Sequence, residues 1–196
     1  MYMPTEIELK AHVKDSEAMK LLLSKKAKYE MMFKKEDIYW APGAPPSPTV
    51  RIRLRKERRS YPDGTIDSFV FATCKLKKVI DGIEINDERE FEIRSLHGAA
   101  PGTDGPDFEE FLRMTGCKPC ASKRKEGWLF SREDINAELS KVEGLGWFIE
   151  LEILADNDRE ETVSGGKAKL LSFLNELGIE KEAIESRFYT DMLIKQ

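Results

Sequence analysis

Histidine and cysteine are scarce in this chain of 196 residues, which has two histidines and three cysteines. Neither His12 nor His97 has a partner at metal-ligand spacing, which argues against a histidine-based metal centre or a Ser-His-Asp triad. An odd, low count of Cys74, Cys117 and Cys120 argues against a disulfide framework. Cys117 and Cys120 have CxxC spacing. A zinc site would need a second pair, and a thioredoxin-like unit would need the motif at a helix start after a strand. The motif instead follows a predicted helix, so a turn with two incidental thiols is expected there. No apolar run approaches the ~18 residues that span a bilayer. The opening Met1-Tyr2-Met3-Pro4 lacks the charged-then-apolar pattern of a secretory signal. The expected location is therefore the cytosol, with no membrane partner. No P-loop or dinucleotide fingerprint is present. The net charge of −4 weighs against a general nucleic-acid binder, so no nucleic-acid partner is expected.

What the chain has in abundance is charge, 35% of residues against 40% hydrophobic, a balance at the charged end of soluble globular proteins. The charges fall at every second position of short strand-like segments. Glu6, Glu8 and Lys10 alternate with Ile7 and Leu9. Arg51, Arg53 and Arg55 alternate with Ile52 and Leu54. Lys75 and Lys77 flank Leu76. Glu84, Asn86, Glu88, Glu90 and Glu92 form an acidic row, Lys123 and Lys125 a short basic one, and Glu150 and Glu152 alternate with Ile149, Leu151 and Ile153. A strand has a side-chain period of two, so each row lies on one face of its sheet.

Strands are expected near 5–13, 33–40, 50–56, 69–78, 83–94, 121–130, 135–142 and 147–154. Helices are expected near 16–29, 107–114 and 160–177, with Gly178 ending the last. A Pro-rich loop covers Ala41–Pro48, and a long Gly/Pro loop covers His97–Pro106. The tail Glu180–Lys195 reads as helical at first and then irregular. No repeat or linker interrupts the chain, so a single domain over 1–196 is expected. Strands outnumber helices and most neighbours can be antiparallel, which predicts an α+β, mainly β chain: one β-barrel with helices packed outside. In such a barrel the apolar rows face the helices and the charged rows face a lumen able to hold a small ligand.

Glu6 and Glu8 point the same way and can share a hard divalent ion such as Mg²⁺ or Mn²⁺. Lys10, next on that face, can meet a phosphate as a point charge. Arg51 and Arg53 offer paired donors for phosphate oxygens. The plainer alternative for the Glu6–Lys10 and Glu150–Glu152 rows is a solvated outer face, since half-wet sheets alternate in the same way, and for Arg51–Arg59 it is a basic surface patch for RNA or another polyanion.

Together these segments resemble the CYTH family, the triphosphate tunnel metalloenzymes. Glu6-x-Glu8-x-Lys10 is similar to its ExExK signature, Val50-Arg51-Ile52-Arg53 to LRxR, Thr73-Cys74-Lys75 to TxK, and Arg89-Glu90-Phe91-Glu92 to REyE. Lys123-Arg124-Lys125 stands where a KxR pair is usual. Val142–Glu152 resembles VxGLGxFxExE, and Ser186–Leu193, which contains Tyr189, resembles a terminal SYxDLL box. The resemblance implies an eight-stranded antiparallel β-barrel tunnel with a charged interior. It implies Mg²⁺ or Mn²⁺ on Glu6, Glu8, Glu150 and Glu152, with Glu6, Glu8 and Lys10 in the catalytic set. It implies a small-molecule triphosphate on Lys10, Arg51, Arg53, Lys75, Lys123 and Lys125, with Glu90, Glu92 and Tyr189 in support. A homodimer is left open. Two departures stand out. Ser140 occupies the place of a usual Asp, with Glu138 as the nearest substitute on that face. Lys125 replaces the usual Arg and forgoes bidentate recognition. Class IV adenylyl cyclases, which convert ATP to cyclic AMP and pyrophosphate, are the most similar members. The alternatives are hydrolysis of tripolyphosphate, thiamine triphosphate or a nucleoside triphosphate, and a non-catalytic polyphosphate-binding module.

Overall fold

The computed structural model describes residues 5–42, 51–80, 83–94, 102 and 105–194, with backbone alone over 75–80 and at 87 and 194. Its strands are β1 (Thr5–His12), β2 (Lys28–Pro42), β3 (Ile52–Ser60), β4 (Ile66–Ile80), β5 (Ile83–Glu92), β6 (Cys117–Arg132), β7 (Ile135–Val142) and β8 (Gly146–Ala155). The helices are α1 (Ser16–Lys26), α2 (Gly105–Met114), α3 (Glu160–Glu176) and α4 (Tyr189–Ile194). The strands close an antiparallel barrel in the order β1-β5-β4-β3-β2-β6-β7-β8.

The period of two decides which residues go where. On β1 and β8, Ile7, Leu9, Ala11, Ile149, Leu151 and Ile153 turn outward and pack against Leu23 of α1 and Leu170, Phe173 and Leu174 of α3. A second outer cluster joins Trp40, Leu54 and Val70 to Leu112 of α2. The main core therefore lies between barrel and helices. Each fully buried Leu or Ile there contributes roughly 1.5–3 kcal/mol, which drives the opposite row inward. Register then sets charged residues side by side in the lumen: Glu8 lies opposite Glu152, and Lys10 opposite Glu150.

Several boundaries differ from the sequence expectation. α1 stops at Lys26, because Lys28 and Tyr29 already pair with β6. β2 runs on to Pro42, into the expected Pro-rich loop, whose remainder lies outside the described residues, as does most of the 97–106 loop. Cys117–Cys120 forms the first residues of β6 rather than a turn. Pro119 lies opposite Trp40, where the β2–β6 register shifts, and such an irregularity is where a strand accommodates proline. The tail starts with a 3-10 helix at Lys181–Ala183, in line with the helical beginning expected, but α4 follows where irregular chain was expected. Nor does α4 pack outside, since its Tyr189 enters the barrel beside Val142 and Phe148. No helix among the described residues is long and apolar enough to cross a membrane.

Gly127 of β6 lies opposite Ser140 of β7. A Cβ there would stand 2.1 Å from the Leu139 carbonyl oxygen and 2.6 Å from Ser140 Cα, so the two backbones meet too closely for any side chain. Gly127→Ala is expected to lower unfolding free energy by at least about 2 kcal/mol in urea titration. An unchanged midpoint would show that β6 and β7 separate freely.

Candidate functional site

The inner rows surround a cavity of about 880 Å³. β1 and β8 contribute Glu6, Glu8, Glu150 and Glu152. β3 contributes Arg53 and Arg55, with Arg51 just before it, β6 contributes Lys123 and Lys125, and β7 contributes Glu138. Glu90 and Tyr189 also reach its wall. Glu6 accepts a hydrogen bond from Asn86 Nδ2 at 2.8 Å. Both oxygens of Glu150 accept from Lys125 Nζ, at 2.9 and 3.0 Å, and one also accepts from the Tyr189 hydroxyl at 2.8 Å. Arg53 donates to Thr73 at 3.0 Å, Glu88 at 3.0 Å and Glu90 at 3.2 Å.

Three expected residues stand apart from that wall. Lys10 is buried and ion-paired with Glu84 at 2.6 Å, with its ammonium 5.3 Å from the Tyr189 ring. Glu92 is exposed and paired with Arg94 at 2.8 Å, with the cavity-lining Arg59 near enough to help lower its carboxyl. Ser140 is fully buried and its hydroxyl has no hydrogen-bond partner. The side chain of Lys75 lies outside the described residues.

The sequence reading missed the second strand's contribution. Asp37, 1% exposed, accepts from Arg55 Nε at 2.7 Å and Nη2 at 3.0 Å, and pairs with Lys123 at 3.1 Å. Two positions along, Lys35 pairs with Glu138, which Lys125 also engages. Their signal was the alternation Phe33, Lys35, Asp37, Tyr39. It was obscured because Lys34 and Glu36 make the outer face polar too. Glu84 and Glu88, seen only as part of an acidic row, hold Lys10 and Arg53.

These pairings set the protonation states. Burial opposes charge on Asp37, but Arg55 and Lys123 outweigh it and hold the carboxyl well below its ordinary value. Burial likewise opposes charge on Glu150, and Lys125 and Lys123 outweigh it. Lys125 is shifted up despite burial because Glu138 and Glu150 flank it. Lys123 is the exception: burial brings it down to about 8, and Asp37 offsets only part of that. Burial raises the Tyr189 hydroxyl well above the usual phenol value, and the neighbouring Glu150 carboxylate adds to the shift.

The wall's carboxylate oxygens suit a hard cation. Among the described residues, no three acidic, histidine or cysteine side chains converge to hold one by themselves. That fits Mg²⁺, which one or two carboxylates plus substrate phosphates commonly bind. The facing pair Glu8 and Glu152 supplies that number.

Opposed acidic and basic rows thus line the open lumen of a closed antiparallel barrel. The CYTH domain profile matches residues 4–189, and the chain belongs to that family. It is 27% identical over 128 residues to MJ0240 of Methanocaldococcus jannaschii, whose name assigns it provisionally to the adenylate cyclases. That alignment covers 64% of this chain and 66% of the relative, just under two thirds. PH1819 of Pyrococcus horikoshii OT3 superposes with a TM-score of 0.79 at 26% identity, covering 97% of this chain and 99% of that one. HpAC1 of Hippeastrum, named as an adenylyl cyclase whose dominant activity is that of a triphosphatase, shares the fold with a TM-score of 0.58 at 17% identity. That match covers 98% of this chain and 94% of that one.

Asp37→Asn leaves Arg55 and Lys123 buried without their counter-charge and is expected to cost about 3–5 kcal/mol of unfolding free energy, read by urea titration. A loss under about 1 kcal/mol would mean that solvent already compensates the pair. Lys123 gives a pH test. Below about 8 it is charged and attracts anions, and above about 8 it is neutral. Tripolyphosphate affinity is therefore expected to fall with a one-proton slope as pH rises through about 8, and Lys123→Arg to flatten that slope. For folding the sign is opposite. A lysine lowered in the folded state costs stability in full below about 8; the cost fades as pH rises from about 8 to the ordinary lysine value of 10.5 and is gone above it.

Proposed function

We propose that this chain is a metal-dependent enzyme acting on a triphosphate held inside the barrel. The supporting observation is the meeting of Lys35, Arg53, Arg55, Lys123 and Lys125 with Glu6, Glu8 and Glu152 around one enclosed space. The cations would bind and orient the phosphate oxygens and offset charge that develops during phosphoryl transfer. Glu8 and Glu152, with Glu6, would hold Mg²⁺ or Mn²⁺, which supplies charge neutralisation and a lowered pKa at the attacking oxygen. The lowered Glu150 is an acceptor that fixes Lys125 and Tyr189 rather than a store for a proton.

The first reading is adenylyl cyclase, supported by the name of the M. jannaschii relative. The ribose 3′-hydroxyl oxygen of ATP would bond to the α-phosphorus and release its proton to solvent water, while the bond from the α-phosphorus to the bridging oxygen breaks and pyrophosphate leaves with its electrons. The second reading is a triphosphatase, in which water attacks instead. The Hippeastrum protein, named a cyclase but with dominant triphosphatase activity, supports that reading.

Incubation with ATP, tripolyphosphate and thiamine triphosphate, each with Mg²⁺ or Mn²⁺, separates the two by product. Cyclic AMP with pyrophosphate indicates the cyclase, and orthophosphate without cyclic nucleotide the hydrolase. Glu8→Ala is expected to lower kcat/KM by at least about a hundredfold, and a chelator to abolish turnover. Binding without turnover at any metal concentration would contradict the enzyme reading and leave a polyphosphate-binding module.

A further inference from the structure

From Glu84 to Glu90 the inner row of β5 is acidic except at one place. Glu84 is engaged by Lys10, and Glu88 and Glu90 by Arg53. The exception is Asn86, directly opposite Glu6 in the β1–β5 register. It is 0% exposed and, unlike Glu6, does not reach the cavity wall. Its Nδ2 donates to Glu6 Oε2 at 2.8 Å. Its Oδ1 is buried without a hydrogen-bond partner.

The chemistry of the pair fixes which way the amide points. An ionised carboxylate can only accept, so the NH2 group and not the carbonyl faces Glu6. That orientation strands Oδ1, and a buried acceptor without a donor costs stability. A leucine of similar size would strand no polar atom. An aspartate or glutamate would continue the acidic row but set a like charge directly across from Glu6, which is unfavourable. A lysine or arginine would bring donors, but its charge would cancel that of the carboxylate. The amide supplies an N–H and orients Glu6 without cancelling its charge. Where carboxylates ligate a metal, such outer hydrogen bonds set the ligand's orientation and tune its affinity.

We infer that Asn86 is a positioning residue, holding Glu6 in the orientation that receives the divalent cation and kept there at a cost in stability. The inference rests on the metal and triphosphate reading above. It adds a residue that touches neither the cation nor the substrate.

The test is Mn²⁺ binding, followed by electron paramagnetic resonance on the folded protein with tripolyphosphate present and without turnover as a readout. The proteins compared are the wild type, Asn86→Leu, Glu6→Gln and the double variant, each also melted thermally. Asn86→Leu is expected to weaken Mn²⁺ binding by about tenfold, the lower end of what partners behind metal ligands contribute. It should melt at or above the wild-type temperature, because the stranded oxygen is gone. In the Glu6→Gln background the same substitution should change Mn²⁺ affinity by less than about twofold, since the amide acts through Glu6. Asn86→Ala repeats the comparison should the leucine variant fail to fold. Unchanged Mn²⁺ affinity with a lower melting temperature would make the amide structural only and overturn the inference, leaving the triphosphate reading intact. A loss that persists in full in the Glu6→Gln background overturns it as well. If the wild type binds tripolyphosphate but no Mn²⁺, the metal reading and this inference fall together.

Discussion

An ionised side chain removed from water costs several kcal/mol unless an opposite charge and hydrogen bonds meet it. This barrel turns charged rows inward from most of its strands, so its interior has to be arranged pair by pair. Asp37 is the tightest of these arrangements. It is buried between Arg55 and Lys123, and its two oxygens take up donors from both. Around it, Lys35 and Lys125 share Glu138, Lys125 also reaches Glu150, and Lys10 meets Glu84. Removing one member leaves another stranded, which links stability and site geometry through the same residues.

The rest of the architecture serves that constraint. Because the lumen is polar, the apolar core lies outside, and α1, α2 and α3 are required to cover it. Because the lumen must remain open, its walls hold one another apart by ion pairs rather than by packed hydrocarbon. α4 is the exception: Tyr189 enters from the tail, with the ammonium groups of Lys10, Lys123 and Lys125 between 5.1 and 5.9 Å from its ring and its hydroxyl on Glu150. The tail of the chain thus completes the site that the first strand begins.

Much of this was legible because Glu6–Lys10 of β1, Ile52–Arg55 of β3 and Ile149–Ile153 of β8 alternate charge against apolar residues, and a closed barrel with helices outside gives both rows a use. What stayed hidden has physical causes. β2 carries polar residues on both faces, so Lys35 and Asp37 gave no contrast. Glu92 keeps the parity of its row but is exposed and pairs with Arg94, a partner that period alone does not indicate. Lys10 matches its motif, yet its ammonium is held by Glu84 away from the cavity wall, a partner that strand register determines. The Cys117–Cys120 segment contains a proline and looked like a turn, but pairing with β2 and a register shift at Trp40 absorb it.

The family fold and the paired interior lead to one central claim, that the lumen's cations are arranged for phosphates and its β1–β8 carboxylates for a metal. A crystal structure grown with tripolyphosphate and Mn²⁺ tests this directly. The account predicts an anomalous Mn²⁺ peak beside Glu8 and Glu152, with phosphate oxygens on Lys35, Arg53, Arg55 and Lys123. Phosphates bound outside the barrel, or a lumen that excludes both ions at saturating concentration, would contradict it.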